Sequence, residues 1–186
     1  MKELKFIHIT KCAGTSIENA GKKQNILWGR FCKEYGFWHQ LFPKVDPDVI
    51  DKYDWFMVVR NPYERMLSEY YWFTGGAKQP MSMTRMNEFL IDKIKKRSNI
   101  GDHFTEQYKY LHPTVNIRII KFENLGEEFT ALMKEYNLEK IHLGKENARN
   151  RHDYSVADFS PELITLINEV YDQDFAEFQY EKIATV

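Results

Sequence analysis

The sequence predicts an α/β fold, a three-layer sandwich in which a central, mostly parallel sheet is flanked by helices. Apolar, strand-like runs alternate with helical patterns, and each intervening stretch is long enough for a parallel crossover. The run WFMVVR at 55–60 is apolar without alternation up to its last residue, the pattern of a strand covered on both faces. The third observation is local. FIHITKCAGTSIENA at 6–20 passes from an apolar run into Lys11, Gly14, Thr15 and Ser16, then into a helical pattern.

The composition suits one globular domain spanning residues 1–186. Of the 186 residues 43% are apolar, and 13 Phe, 11 Tyr and 4 Trp suffice for a sizeable core. A formal net charge of −1 excludes a generally basic surface, so no nucleic-acid partner is expected and any anion must meet a local patch. Cys12 and Cys32 make neither a disulfide framework nor a CxxC metal motif, which suits a reducing compartment. No metal site is expected. Met-Lys-Glu runs straight into a strand pattern, and no apolar run approaches the roughly 18 residues of a membrane span. A cytoplasmic protein is the expectation.

In chain order, strands are expected at Leu4 to Ile9, Asn25 to Trp28, Trp55 to Arg60 and Asn116 to Phe122. NPYE at 61–64 supplies Asn61 as an N-cap, Pro62 at the first helical position and Glu64 to close a capping box. Met86, Phe89, Leu90 and Ile94 mark one apolar stripe; Leu125, Phe129, Leu132 and Met133 mark another. SPELITLINEVY at 160–171 opens with Ser160 and Pro161 and sets Leu163, Leu166, Ile167 and Val170 on one face. In TGGAKQPMSMT at 74–84 the Gly75–Gly76 pair permits motion over a neighbouring site.

Open parallel sheets bind ligands at the carboxyl ends of their strands. After the first strand, TKCAGTS combines a glycine for close backbone approach, helix-start N–H groups, the Lys11 charge and the hydroxyls of Thr15 and Ser16. This is an anion cradle. It is P-loop-like without being a Walker A loop, which needs GxxxxGK followed by Ser or Thr; here Lys11 precedes the single Gly14. After the buried strand, RNPYERMLSEYY at 60–71 places Arg60 at the strand end and Ser68 two turns along the next helix, with Arg65 between them as a further cation.

Together, Lys-x-x-Gly-Thr-Ser and Arg-x-Pro-x-x-Arg-x-x-Ser-x-Tyr resemble the two cofactor signatures of the sulfotransferases. HFTEQYKYL at 103–111, IIKFENL at 119–125 and VYDQDFAEFQY at 170–180 are similar to later landmarks of the carbohydrate, Golgi-type members. Those members' membrane anchor and stem have no counterpart here, so the resemblance is to a minimal soluble form. It implies the donor 3′-phosphoadenosine 5′-phosphosulfate (PAPS, leaving PAP) and a hydroxyl acceptor, a saccharide or glycan. It further implies that Lys11, Cys12, Ala13, Gly14, Thr15 and Ser16 hold the 5′-phosphosulfate and that Arg60 and Ser68 hold the 3′-phosphate. The family's late Gly-rich stretch is replaced by ENARNRHDYS at 146–155, where Arg149 or Arg151 would take its role.

In-line transfer to a hydroxyl needs positioning, charge stabilisation and a base. Lys11 would meet charge growing on the leaving nucleotide. His39, in GFWHQLF, lies where the family places its base, and its His-x-x-Phe context is similar to that of the uronosyl 2-O-sulfotransferases. His103 is the rival, Glu18 and Glu69 are outlying alternatives, and His8 reads as a core residue. Cys12 reads as a small loop residue, since the chemistry needs no thiolate. DKIKKR at 92–97 reads as a helix end more than a glycan patch. Trp28, Trp38 and Trp72 are candidates for sugar stacking, although most aromatics serve the core. A P-loop kinase and a non-catalytic PAP-binding module are the competing functions.

Overall fold

The structure, a computed structural model, describes residues 1–29, 39–75, 82–97, 103–144 and 154–185. Strands β1 (Glu3–Ile7), β2 (Tyr53–Val59) and β3 (Ile117–Lys121) form a parallel sheet in the order β1-β2-β3. Ile7 pairs with Met57 and Val59 with Lys121, so the three carboxyl ends share one edge of the sheet. The α/β expectation holds.

Residues 55–59 of β2 are buried throughout. The Phe56 ring meets Trp28 at 5.4 Å and Phe129 at 6.2 Å. Trp55, pointing to the opposite face as strand geometry requires, meets Phe42 at 4.8 Å. Both faces are covered, which is why the run does not alternate. Helices α1 (Gly14–Lys22) and α5 (Leu125–Glu135) join this cluster through Ile17, Ala20, Phe129, Leu132 and Met133, and the short α2 (Pro47–Ile50) adds Val49 and Ile50.

A second apolar cluster forms among α3 (Pro62–Phe73), α4 (Met83–Lys95), α6 (Pro161–Val170) and α7 (Asp172–Glu177), centred on Met66, Met86, Leu90, Leu163 and Phe175. The expected caps are present. Asn61 accepts from the Tyr63 N–H at 3.0 Å with Pro62 next in line, and Ser160 accepts from the Leu163 N–H at 3.2 Å. Glu64 does not close the capping box. The Asn61 N–H donates to Glu123 at 3.0 Å instead, and Glu64 turns towards the Arg60 guanidinium at 3.5 Å.

The strand expected at Asn25 to Trp28 does not form. Its Ile26 N–H bonds back to the Gly21 carbonyl at 3.0 Å, and the Leu27 carbonyl accepts from Lys5 Nζ at 3.2 Å. The end of α1 and a lysine side chain thus take groups that a ladder would use. Among the described residues no helix is long and apolar enough to cross a membrane.

Candidate active site

The loop from β1 to α1 is built by backbone conformation. Lys11 and Ala13 lie in the left-handed region, at φ 59° and 60°, a geometry that gathers successive N–H groups around a concavity. Ala13 caps α1 without any side-chain bond. Its carbonyl accepts from Ser16 and Ile17 at 3.0 and 3.1 Å, so the Ser16 N–H, expected to face the anion, is used inside the helix. Among the described residues, no hydrogen bond occupies the N–H groups of Ala13, Gly14 and Thr15. These three donors, the helix start and Lys11 fit a phosphate-type anion.

Gly14 has a second role that the sequence does not announce. A Cβ there would sit 2.1 Å from His8 Nε2, so the loop packs directly against the imidazole at the end of β1. His8 in turn faces the fully buried Glu18 of α1 at 3.2 Å. Cys12 points into the core, where burial pushes its thiol up to about 12 despite the nearby charges of Arg65 and Arg60. Only its backbone belongs to the cradle.

Gln107 ties this loop to the end of β2. Its side-chain amide accepts from the Arg60 N–H at 2.9 Å and donates to the Arg60 carbonyl at 2.9 Å, while Cys12 Sγ donates to the same Oε1 at 3.4 Å. Asp174 of α7 anchors Gln107 by accepting from its backbone N–H at 3.0 Å. The two strand-end motifs therefore meet within the span of one amide. The Arg60 guanidinium lies over the Phe122 ring at 4.2 Å. Ser68 is half-buried on α3. Arg149 and Arg151 lie outside the described residues.

Arg65 is not an anion ligand. It is fully buried and donates to the Thr10 carbonyl at 3.1 Å, the Thr10 hydroxyl at 2.9 Å and the Thr105 carbonyl at 2.8 Å. The Thr10 hydroxyl donates onward to Glu69 Oε1 at 2.8 Å, and Glu69 Oε2 holds His103 Nδ1 at 2.5 Å. Guanidinium, hydroxyl, carboxylate and imidazole form one chain, buried as far as the carboxylate and partly exposed at the His103 ring. His39 lies beside it, its ring 4.8 Å from His8 and 6.0 Å from His103, with Nδ1 3.3 Å from the His8 carbonyl. Both partners are acceptors towards Nδ1, so both imidazoles direct Nε2 away as the basic nitrogen.

A sulfotransferase family model matches residues 2–181. The chain belongs to the sulfotransferase family. No curated protein and no solved structure matched. In this sulfotransferase the two strand-end motifs are legible in the sequence, whereas Gln107 and the Arg65–Thr10–Glu69–His103 chain emerge only from the fold. The one sequence signal for them was the segment HFTEQYKYL, which carries His103, Thr105 and Gln107 together. Among the described residues no cluster of His, Cys, Asp or Glu could hold a metal ion. Three cations of the 92–97 run are paired, Lys95 with Glu162, Lys96 with Asp92 and Arg97 with Glu106. Trp28 is buried, Trp72 is exposed, and Trp38 lies outside the described residues.

Proposed function

We propose that this sulfotransferase uses PAPS and moves its sulfuryl group to a hydroxyl of a carbohydrate acceptor. The observation that carries the donor half is the Gln107 bridge, which holds the Lys11–Ser16 cradle and Arg60 side by side at the ends of adjacent parallel strands. PAPS supplies an activated sulfuryl group on a nucleotide that departs as PAP. The N–H groups of Ala13, Gly14 and Thr15 bind its 5′-phosphate, and Lys11 offsets the charge that grows on the departing oxygen. Arg60 and Ser68 take the 3′-phosphate, the group that separates PAPS from ATP. His103 receives the acceptor proton on Nε2, because Glu69 fixes its other nitrogen as the donor. His39 stands next to it as the alternative acceptor of that proton.

Titration calorimetry with PAP tests the donor half. Arg60→Ala should weaken PAP by about 1.5–3 kcal/mol, the value of a charge-assisted contact. ATP and adenosine 5′-phosphosulfate, which lack the 3′-phosphate, should bind wild type and variant alike. Unchanged PAP affinity in the variant would remove the 3′-phosphate assignment, and tighter binding of ATP than PAP would remove the donor.

A further inference from the structure

The donor side is walled by backbone and cations, but the opposite flank of His103 is aromatic. Trp72, at the end of α3, stacks on the imidazole with centroids 4.2 Å apart and planes 26° apart. Phe73 stands across both rings, 4.8 Å from Trp72 and 5.1 Å from His103. Aromatic side chains are ordinarily buried, and Trp28 and Trp55 here are 0% and 3% exposed, yet Trp72 is 51% and Phe73 40% exposed. An open aromatic shelf thus borders the imidazole that Glu69 orients.

Among the described residues, Lys93 brings a charge to its rim. Lys93 of α4 lies 5.4 Å from the Phe73 ring centroid and 5.6 Å from that of Phe89. The remaining cations of this helix end, Lys95, Lys96 and Arg97, are paired with carboxylates, whereas Lys93 has no carboxylate partner among the described residues. A shelf open to this degree does not engulf a small ligand, which normally loses 70–90% of its surface in a concave pocket. It suits one ring of a longer chain lying across it, the apolar ring face on the indole and an anionic substituent towards Lys93.

Resting on the sulfuryl-transfer reading above, we propose that Trp72, Phe73 and Lys93 form the acceptor subsite. Its ligand is a sugar ring within an acidic polysaccharide, bearing carboxylate or sulfate. His103 covers one face of the indole, so the ring rests on the other face and the next residue of the chain, passing the indole edge, brings its hydroxyl to His103 Nε2. The shelf selects the acceptor while Glu69 and His103 serve the proton transfer, and donor binding stays with the loops at the strand ends.

The test uses the whole chain, ¹⁵N-labelled and saturated with PAP, with the Trp72 indole N–H signal assigned by its loss in Trp72→Phe. Three probes are titrated: a hexasaccharide of alternating hexuronate and N-acetylhexosamine, neutral maltohexaose, and p-nitrophenol. The Trp72 signal should respond to the acidic hexasaccharide at a concentration at least about tenfold lower than to maltohexaose. Lys93→Ala should abolish that preference and leave PAP binding unchanged. No Trp72 response to either sugar, while PAP binds, overturns the subsite and leaves the donor reading standing. An equal response to both sugars overturns the role of charge, and a preference for p-nitrophenol overturns the sugar. Failure of PAP to bind removes the donor reading and, with it, the ground for the shelf.

Discussion

Cys12 shows how far a residue's chemistry depends on where its side chain points. A thiol in a helix-start loop beside a lysine suggests an activated nucleophile. Here the side chain is fully buried, its Sγ spends its weak donor on Gln107, and burial pushes the thiol up to about 12. The thiolate is therefore scarce near neutrality. Iodoacetamide at about pH 8 should leave Cys12 unlabelled in the folded protein and label it in urea, as read by peptide mass spectrometry. Rapid native labelling would contradict its burial. Gly14 carries the complementary lesson. Its glycine was legible as a requirement for close approach, but the approaching group at the loop is His8, six residues upstream, and no spacing rule links the two. Arg65 differs from its sequence expectation for a related reason. An arginine in a motif looks available to an anion until its three backbone and hydroxyl acceptors are in place.

Among elements, the long apolar periodicities transferred from sequence to structure. Met86, Leu90 and Ile94 of α4, and Phe129, Leu132 and Met133 of α5, are all buried as their spacing requires. The segment Asn25 to Trp28 failed because it is short and its hydrogen bonds return to α1, which composition does not encode. The segment that positions the site, Gln107–Tyr110, is a single 3₁₀ turn with no periodicity to detect. Its leverage is considerable. Gln107→Ala would take this partner from the half-buried Arg60 N–H and carbonyl and loosen the buried Asp174, a loss of about 1–3 kcal/mol in all. We expect a lower urea midpoint together with weaker PAP binding. A variant that loses stability but keeps full PAP affinity would show that the bridge supports the fold alone.

At the scale of the molecule, the strand-end rule pointed to one edge of the sheet, and the parallel strands deliver the loops that carry both motifs there. What it could not deliver were the polar pairings between distant segments, such as Gln107 with Asp174 or Thr10 with Glu69. A more local pairing, Glu106 with Lys109 and Arg97, makes global stability depend on pH. Burial raises the Glu106 carboxyl, but the Lys109 hydrogen bond, a backbone N–H and the charges of Lys109 and Arg97 outweigh it and hold the group below its ordinary value. A lowered folded value means that the contribution is complete above about pH 4.3 and fades as the pH falls through the folded pKa. Glu106→Gln should therefore lose about 1–2 kcal/mol at neutral pH. The gap to wild type in urea unfolding should close in acid; a gap that persists there would assign the loss to packing. The left-handed Lys11 and Ala13 carry a different kind of consequence. Each such residue costs about 1–2 kcal/mol of conformational energy, which folding meets in full before any ligand arrives. An anion docking on this loop would demand little further loss of chain freedom, so its encounter would be governed by diffusion and orientation rather than by the slow closing of a loop.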